Sequence, residues 1–181
     1  MKAQALLLTG VPGIGKTTII RTVAAALSRR HIRGFVTGEL RSAGRRVGFE
    51  LSTFAGHTQR LAHVDIDSRH RVGRYGVDVA GLDEIAEEAL SLDDGADVYL
   101  VDEIGKMECF SAKFRSAVRS LFESGRPVVA TVALRGGGFI AEIKERPDVE
   151  LWEATRENRD QMPEQIVRWI AQALPGEVEE R

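Results

Sequence analysis

One short stretch restricts the fold more than any other: Ala5-Leu6-Leu7-Leu8-Thr9, followed by Gly10-Val11-Pro12-Gly13-Ile14-Gly15-Lys16-Thr17-Thr18. It reads as a buried strand, a glycine-rich turn and the start of a helix. The turn fits the G-x-x-x-x-G-K-[ST] spacing at Gly10, Gly15, Lys16 and Thr17. Gly10, Gly13 and Gly15 permit positive φ and put no Cβ between the backbone amides and a polyphosphate. Several N–H groups then converge on one concavity, to which the helix N-terminus adds partial positive charge. Lys16 is long enough to reach β- and γ-phosphates, and the Thr17 hydroxyl suits a Mg²⁺ ion bridging them. Residues 10 to 18 therefore predict a nucleotide site.

The rest of the chain alternates strands with helices. The first helix is expected to run to about Arg30, with Ile20, Val23, Ala24 and Leu27 at helical spacing. Gly34 to Leu40 and Val47 to Leu51, joined by Ser42-Ala43-Gly44-Arg45, read as a β-hairpin, and Gln59 to Val64 as another strand. Asp65 to Tyr75 reads as irregular and arginine-rich. Helices are expected around Leu82 to Leu90, Phe110 to Phe122, Phe139 to Glu145 and Ile166 to Leu174. Ala96 to Glu103, Pro127 to Ala133 and Val149 to Glu153 are expected strands. Most are unbroken apolar runs, which implies a mostly parallel sheet covered by helices on both faces, with the hairpin as an insertion. Ligands of such sheets bind at the carboxyl ends of the strands. The glycine-rich turn, Asp102-Glu103, Thr131 to Arg135 and Thr155 to Asp160 all fall at that edge.

Asp102-Glu103 supplies the second half of a reaction. An aspartate closing an apolar strand can hold Mg²⁺ through its water shell. The adjacent glutamate points elsewhere and can polarise a water for in-line attack on a γ-phosphate. Extra positive charge for the transferring group can come from Lys106, Arg74, Arg135 or Arg159, among which the sequence does not choose. The loop holding Asn158 and Arg159 either contacts the base or caps the last helix.

Composition narrows the alternatives. With 181 residues the chain suits one domain spanning 1–181, with a frayed tail from about 175. Its 25 basic and 27 acidic residues leave it near neutrality, which argues against a nucleic-acid or membrane-surface partner. No stretch reaches the ~18 apolar residues of a membrane helix. The single cysteine, Cys109, has no internal disulfide partner, which suits a cytoplasmic protein, and it reads as a packing residue. A protein partner leaves no trace in the sequence.

Taken together, these pieces resemble the THEP1-type nucleoside-triphosphatases, a family on the RecA-like side of the P-loop NTPase fold. The resemblance is carried by Gly10 to Thr18, Gly34-Phe35 with Gly44 to Leu51, and Val72-Gly73-Arg74-Tyr75-Gly76-Val77. It continues through Val101-Asp102-Glu103-Ile104-Gly105-Lys106-Met107-Glu108 and Arg146-Pro147-Asp148-Val149 to Thr155, Asn158, Arg159 and Asp160. It implies an α/β P-loop fold and slow, Mg²⁺-dependent hydrolysis of ATP, GTP, CTP and UTP. It also implies a second nucleotide-binding segment made of Leu100, Val101, Asp102, Glu103, Ile104, Gly105, Lys106 and Met107. On the chemistry of the residues themselves, Lys16 and Glu103 are the expected catalytic pair, with Thr17 and Asp102 at the metal. Cys109-Phe110 and the three glycines after Arg135 depart from the family pattern, and the glycines leave a role for Arg135 open. Two other readings stand beside hydrolysis: a nucleoside or nucleotide kinase, and a nucleotide-dependent switch.

Overall fold

The computed structural model describes residues 4–174, so the expected tail lies outside the described residues. In chain order the elements are β1 (Ala5–Thr9), α1 (Lys16–Ala26), β2 (Ile32–Ser42), β3 (Arg45–Thr53), β4 (Thr58–His63), β5 (Arg71–Val72) and β6 (Tyr75–Val77). Then come α2 (Val79–Ala89), β7 (Val98–Ile104), α3 (Ala112–Glu123), β8 (Val128–Val132), α4 (Phe139–Lys144), β9 (Val149–Glu153) and α5 (Met162–Ala173). A 3₁₀ turn at Glu108–Phe110 links β7 to α3.

All nine strands form one sheet, ordered β5-β6-β4-β3-β2-β7-β8-β1-β9. From β2 to β9 every pairing is parallel. The β2–β3 hairpin begins an antiparallel extension that continues through β4 and β6 to β5. The insertion is thus part of the sheet itself. Side chains of the parallel strands alternate between two cores, as the period of two demands. Leu7, Tyr99 and Val101 face α2, α3 and α4, while Leu6, Leu8, Val98 and Leu100 face α1 and α5. Both sheet faces are therefore covered, and β1 and β8 are buried along their whole length.

Two local features depart from the pattern read off the sequence. Helix α1 stops at Ala26, not Arg30, and residues 27–30 form turns, the last closed by Arg30 N–H donating to Leu27 O. Tertiary pairing explains the early stop. His31 donates its N–H to Asp97 Oδ2 at 2.7 Å, and Ile32 pairs with Val98, which draws the chain into β2 before helical spacing runs out. The region expected to be irregular, residues 65–75, contains β5 and runs into β6, a minimal hairpin turning at Gly73 with φ 56°. Gly34 occupies a position no other residue fits: its φ is +111°, and a Cβ there would lie 1.9 Å from the carbonyl oxygen of Leu100.

Among the described residues, no helix is long and apolar enough to cross a membrane.

Candidate active site

The turn between β1 and α1 has the backbone that its glycines allow. Gly10, Gly13 and Gly15 have φ of 152°, 79° and 109°. Buried Ile14 anchors the turn in the core beneath it, while Val11 stays exposed. Helix α1 begins without a side-chain cap on its first amides, whereas α2 and α3 are capped by Asp78 and Ser111. Helices α4 and α5 lack such caps too, so what distinguishes α1 is the glycine-rich turn, with its three positive-φ glycines, that leads into it. Lys16 folds back over the turn, its Nζ donating to Gly10 O at 3.2 Å.

The second half of the site comes from the end of β7. Asp102, 1 % exposed, has Oδ1 accepting from the Thr131 hydroxyl at 2.6 Å and Oδ2 accepting from the Thr37 N–H at 3.4 Å. The Thr37 hydroxyl also donates to the Asp102 carbonyl. Its neighbour Glu103 turns into the cleft, and its Oε2 lies 3.5 Å from Lys16 Nζ. Burial pushes the Glu103 carboxyl above its ordinary range; Lys16 opposes this, and the nearby Asp102 adds to it.

The two halves face each other across a cleft of about 1030 Å³. Of the residues singled out from the sequence, Gly10, Pro12, Gly13, Gly15, Lys16, Thr17, Asp102, Glu103, Gly105, Lys106, Met107 and Arg135 line it. Leu100, Val101 and Ile104 are buried in β7 beneath it, and Thr18 is exposed on the first turn of α1. The candidate cations separate clearly. Lys106 and Arg135 are exposed at the cleft. Arg159 braces the phosphate loop from outside, donating to Ile14 O at 3.3 Å. Arg74 sits over the Tyr75 ring, 5.2 Å from its centroid, and donates to the Arg46 carbonyl. Asn158 ties its own loop, accepting from Thr155 N–H at 2.8 Å and donating to Glu153 O at 2.9 Å. The arginine-rich stretch before Tyr75 is similarly tied: Arg71 donates to Arg74 O at 2.8 Å.

Thr37 and Lys144 are not marked by the sequence, and Thr131, expected at this edge, gains a specific role. Thr37 and Thr131 fix the Asp102 carboxylate. Lys144 donates to Ala133 O at 2.5 Å and Leu134 O at 2.9 Å, holding the β8 end of the cleft. A threonine interrupting an apolar run, as Thr131 does between Ala130 and Val132, is the one signal that pointed to any of them. Cys109 is half-buried and its thiol is pushed up to about 11, first by burial and then by Glu108, which agrees with a packing role.

Among the described residues no three His, Cys, Asp or Glu side chains gather as a metal cage. Magnesium bound with a nucleotide needs none, because phosphates and waters supply most of its six oxygens. The buried Asp102 carboxylate and the Thr17 hydroxyl, both lining one cleft, fit that limited demand.

Comparison with known proteins decides the family. Residues 5–167 match the protein family described as NTPase. The chain is 39 % identical to "Nucleoside-triphosphatase THEP1" of Thermotoga sp. (strain RQ2) over 163 residues, covering 90 % of this chain and 92 % of that one. This chain belongs to the THEP1 nucleoside-triphosphatase family. It is 36 % identical to the human "Cancer-related nucleoside-triphosphatase", over 93 % of this chain and 97 % of the human protein. The crystal structure of THEP1 from Aquifex aeolicus superposes with a TM-score of 0.80 at 37 % identity, covering 92 % of this chain and 98 % of that one. The solution structure of the human nucleoside triphosphatase gives 0.81 at 34 % identity, covering 96 % and 100 %. The THEP1 family is one of hydrolases with the P-loop fold, and the matched span includes both the phosphate loop and the β7 edge.

Proposed function

We propose that this chain hydrolyses nucleoside triphosphates to the diphosphate and phosphate, accepting ATP, GTP, CTP and UTP with little discrimination, requiring Mg²⁺ and turning over slowly. The observation that carries the reading is the 3.5 Å approach of Glu103 to Lys16 at the meeting point of the phosphate loop and the β7 edge. A carboxylate there stands beside the cation that meets the γ-phosphate. A carboxylate so placed would orient a water in line with the β–γ bridging oxygen.

Each residue then has a task. The loop amides cradle the β- and γ-phosphates, and Lys16 neutralises their charge. Glu103 orients the water and takes its proton as the new O–P bond forms, while the bridging oxygen leaves with the diphosphate. Its raised affinity for a proton makes it a better base than an exposed carboxylate. The Thr17 hydroxyl and Asp102, the latter through water, would hold Mg²⁺. When bound, the ion supplies charge neutralisation across the β- and γ-oxygens. Slow turnover is supported by two of the four candidate cations: Arg74 and Arg159 are committed to backbone carbonyls, which leaves Lys106 and Arg135, both solvent-exposed at the cleft. Broad base preference is supported by the lack of any base-reading pattern in the sequence. A single cysteine suits a reducing compartment, the cytoplasm.

The test is phosphate release from ATP, GTP, CTP and UTP, with and without Mg²⁺, for the wild type and Glu103→Gln. The expected result is comparable slow release from all four, lost on chelation and reduced about 100-fold or more in the variant while nucleotide binding survives. Undiminished release by the variant would remove Glu103 from its role. Transfer to an acceptor remains a second reading because Phe49, Leu61, Val72 and Met107 also line the cleft, apolar surface that water alone does not need. Nucleosides that make ADP formation exceed phosphate release would favour it.

A further inference from the structure

Only two acidic side chains are buried among the described residues, Asp102 and Glu108, at 1 % and 5 % exposure. The hydrolytic roles above use the first and leave the second without a task. Glu108 opens the 3₁₀ turn after β7 and points back at the strand end, where its Oε2 accepts the Gly105 N–H at 3.1 Å. Gly105 shows how close the groups are. A Cβ there would lie 3.0 Å from Glu103 Oε1 and also 3.0 Å from Glu108 Oε2. The two carboxyl groups therefore flank one glycine, and any larger residue would push them apart. Both line the cleft.

We propose that Glu108 is a positioning residue for Glu103: it pins the Gly105 peptide and so fixes the turn from which Glu103 reaches into the cleft. The inference rests on the hydrolytic reading above. The surroundings define the form in which Glu108 acts. Burial raises its affinity for a proton most, and Glu103 and Asp102 of β7 raise it further, to about 8. Its own N–H and that of Gly105 oppose the shift. The largest influences on it are burial, these two N–H groups and the two β7 carboxylates, none of them a lysine or arginine. Arg115 of α3 is engaged with the Cys109 carbonyl, and Asp83 of α2 with the Ser111 hydroxyl. Glu108 is thus a neutral acid at pH 7, whose carbonyl oxygen holds Gly105 without adding a third negative charge beside a polyphosphate. Above about pH 8 it ionises, and the new charge opposes both Glu103 and the nucleotide.

The test is the pH profile of kcat and KM for ATP with the wild type, Glu108→Gln and Glu108→Ala. Gln is neutral at every pH and keeps an oxygen for Gly105. The expected wild-type kcat falls above about pH 8. Glu108→Gln stays within about 3-fold of wild type at pH 7 and lacks that basic limb. Glu108→Ala loses 10-fold or more in kcat with little change in KM, because the nucleotide still binds while Glu103 is no longer held. A Glu108→Gln profile with the wild-type limb intact, or full activity in Glu108→Ala, would overturn the proposal. Thermal unfolding gives a readout independent of turnover. A buried acid with a raised pKa costs the folded state stability as pH rises from its ordinary 4.5 toward 8, so Glu108→Gln gains in Tm over wild type between pH 5 and 8. An advantage that does not change with pH would also refute it. Absence of phosphate release from the wild type at every pH would instead sink the hydrolytic reading, and this inference with it; that failure is recognised without any variant.

Discussion

Replacing Thr131 by Val tests how the Asp102 carboxylate, proposed to stand on the metal side, is held. The substitution conserves volume, so it leaves no cavity, and its cost is that of one hydrogen bond. That bond is short, 2.6 Å, and runs between a side chain 0 % exposed and another 1 % exposed. A hydrogen bond to a charged group contributes about 1.5–3 kcal/mol. Asp102 would then rely on the Thr37 N–H at 3.4 Å, beyond the usual range for a good bond. A loss of about 2 kcal/mol follows. For a domain of this size each kcal/mol moves Tm by about 2–4 °C, so Thr131→Val is expected to melt about 4–8 °C lower. Partners that orient metal ligands also tune affinity, typically about 10–100-fold. Asp102 would act through water, so the Mg²⁺ concentration for half-maximal phosphate release is expected to rise about 10-fold, at the low end. Calorimetry and a Mg²⁺ titration check both numbers. A Tm within 1 °C of wild type would refute the hydrogen-bond argument. A lowered Tm with an unchanged Mg²⁺ requirement would separate Asp102 from the metal.

Two further outcomes follow from packing. Gly34→Ala sets a methyl group 1.9 Å from the Leu100 carbonyl at a φ of +111°, and neither backbone can retreat without breaking the β2–β7 pairing. Strain and overlap together are expected to cost at least about 3 kcal/mol in urea unfolding, and a cost under about 1 kcal/mol would refute the fit described here. Cys109, with its thiol pushed up to about 11, holds only about 0.1 % thiolate at pH 8 and is expected to resist iodoacetamide in the folded protein. Labelling at the rate of free cysteine would contradict that environment.

The legible parts of this site are those written in consecutive residues. The phosphate loop is recognisable because its glycines, Lys16 and Thr17 act within one turn, and Asp102-Glu103 because it closes an apolar strand. The hairpin insertion was visible in the alternation of residues 34–51, and the two-faced sheet in its apolar runs. What stayed hidden depends on distant partners. Asp102 is held by Thr131 and Thr37, and nothing near Thr37 marks it as polar for a reason. Lys144 looks like the ordinary last turn of a short helix until its ammonium meets two carbonyls at the end of β8. The end of α1 is decided by Asp97, far along the chain, not by residues 27–30. Strands β5 and β6 are two and three residues long, too short for any periodicity to register. The candidate cations illustrate the same limit, because whether an arginine braces a loop or faces a ligand depends on which carbonyl lies nearby.

The position of β1 in the sheet also governs when this protein can begin to work. The strand that launches the phosphate loop pairs with β8 and β9, and the Thr9 hydroxyl bonds to Val132 O, 123 residues further on. Helix α1 packs against α5 from the far end of the described chain. The β2–β3–β4 meander, by contrast, pairs neighbours and can form early. A nascent chain therefore carries residues 10–18, the proposed phosphate loop, well before β8 and β9 exist to shape them. Nucleotide binding should appear abruptly as β8 and β9 slot in on either side of β1, so a chain arrested before that point is an empty precursor and not a weakened enzyme.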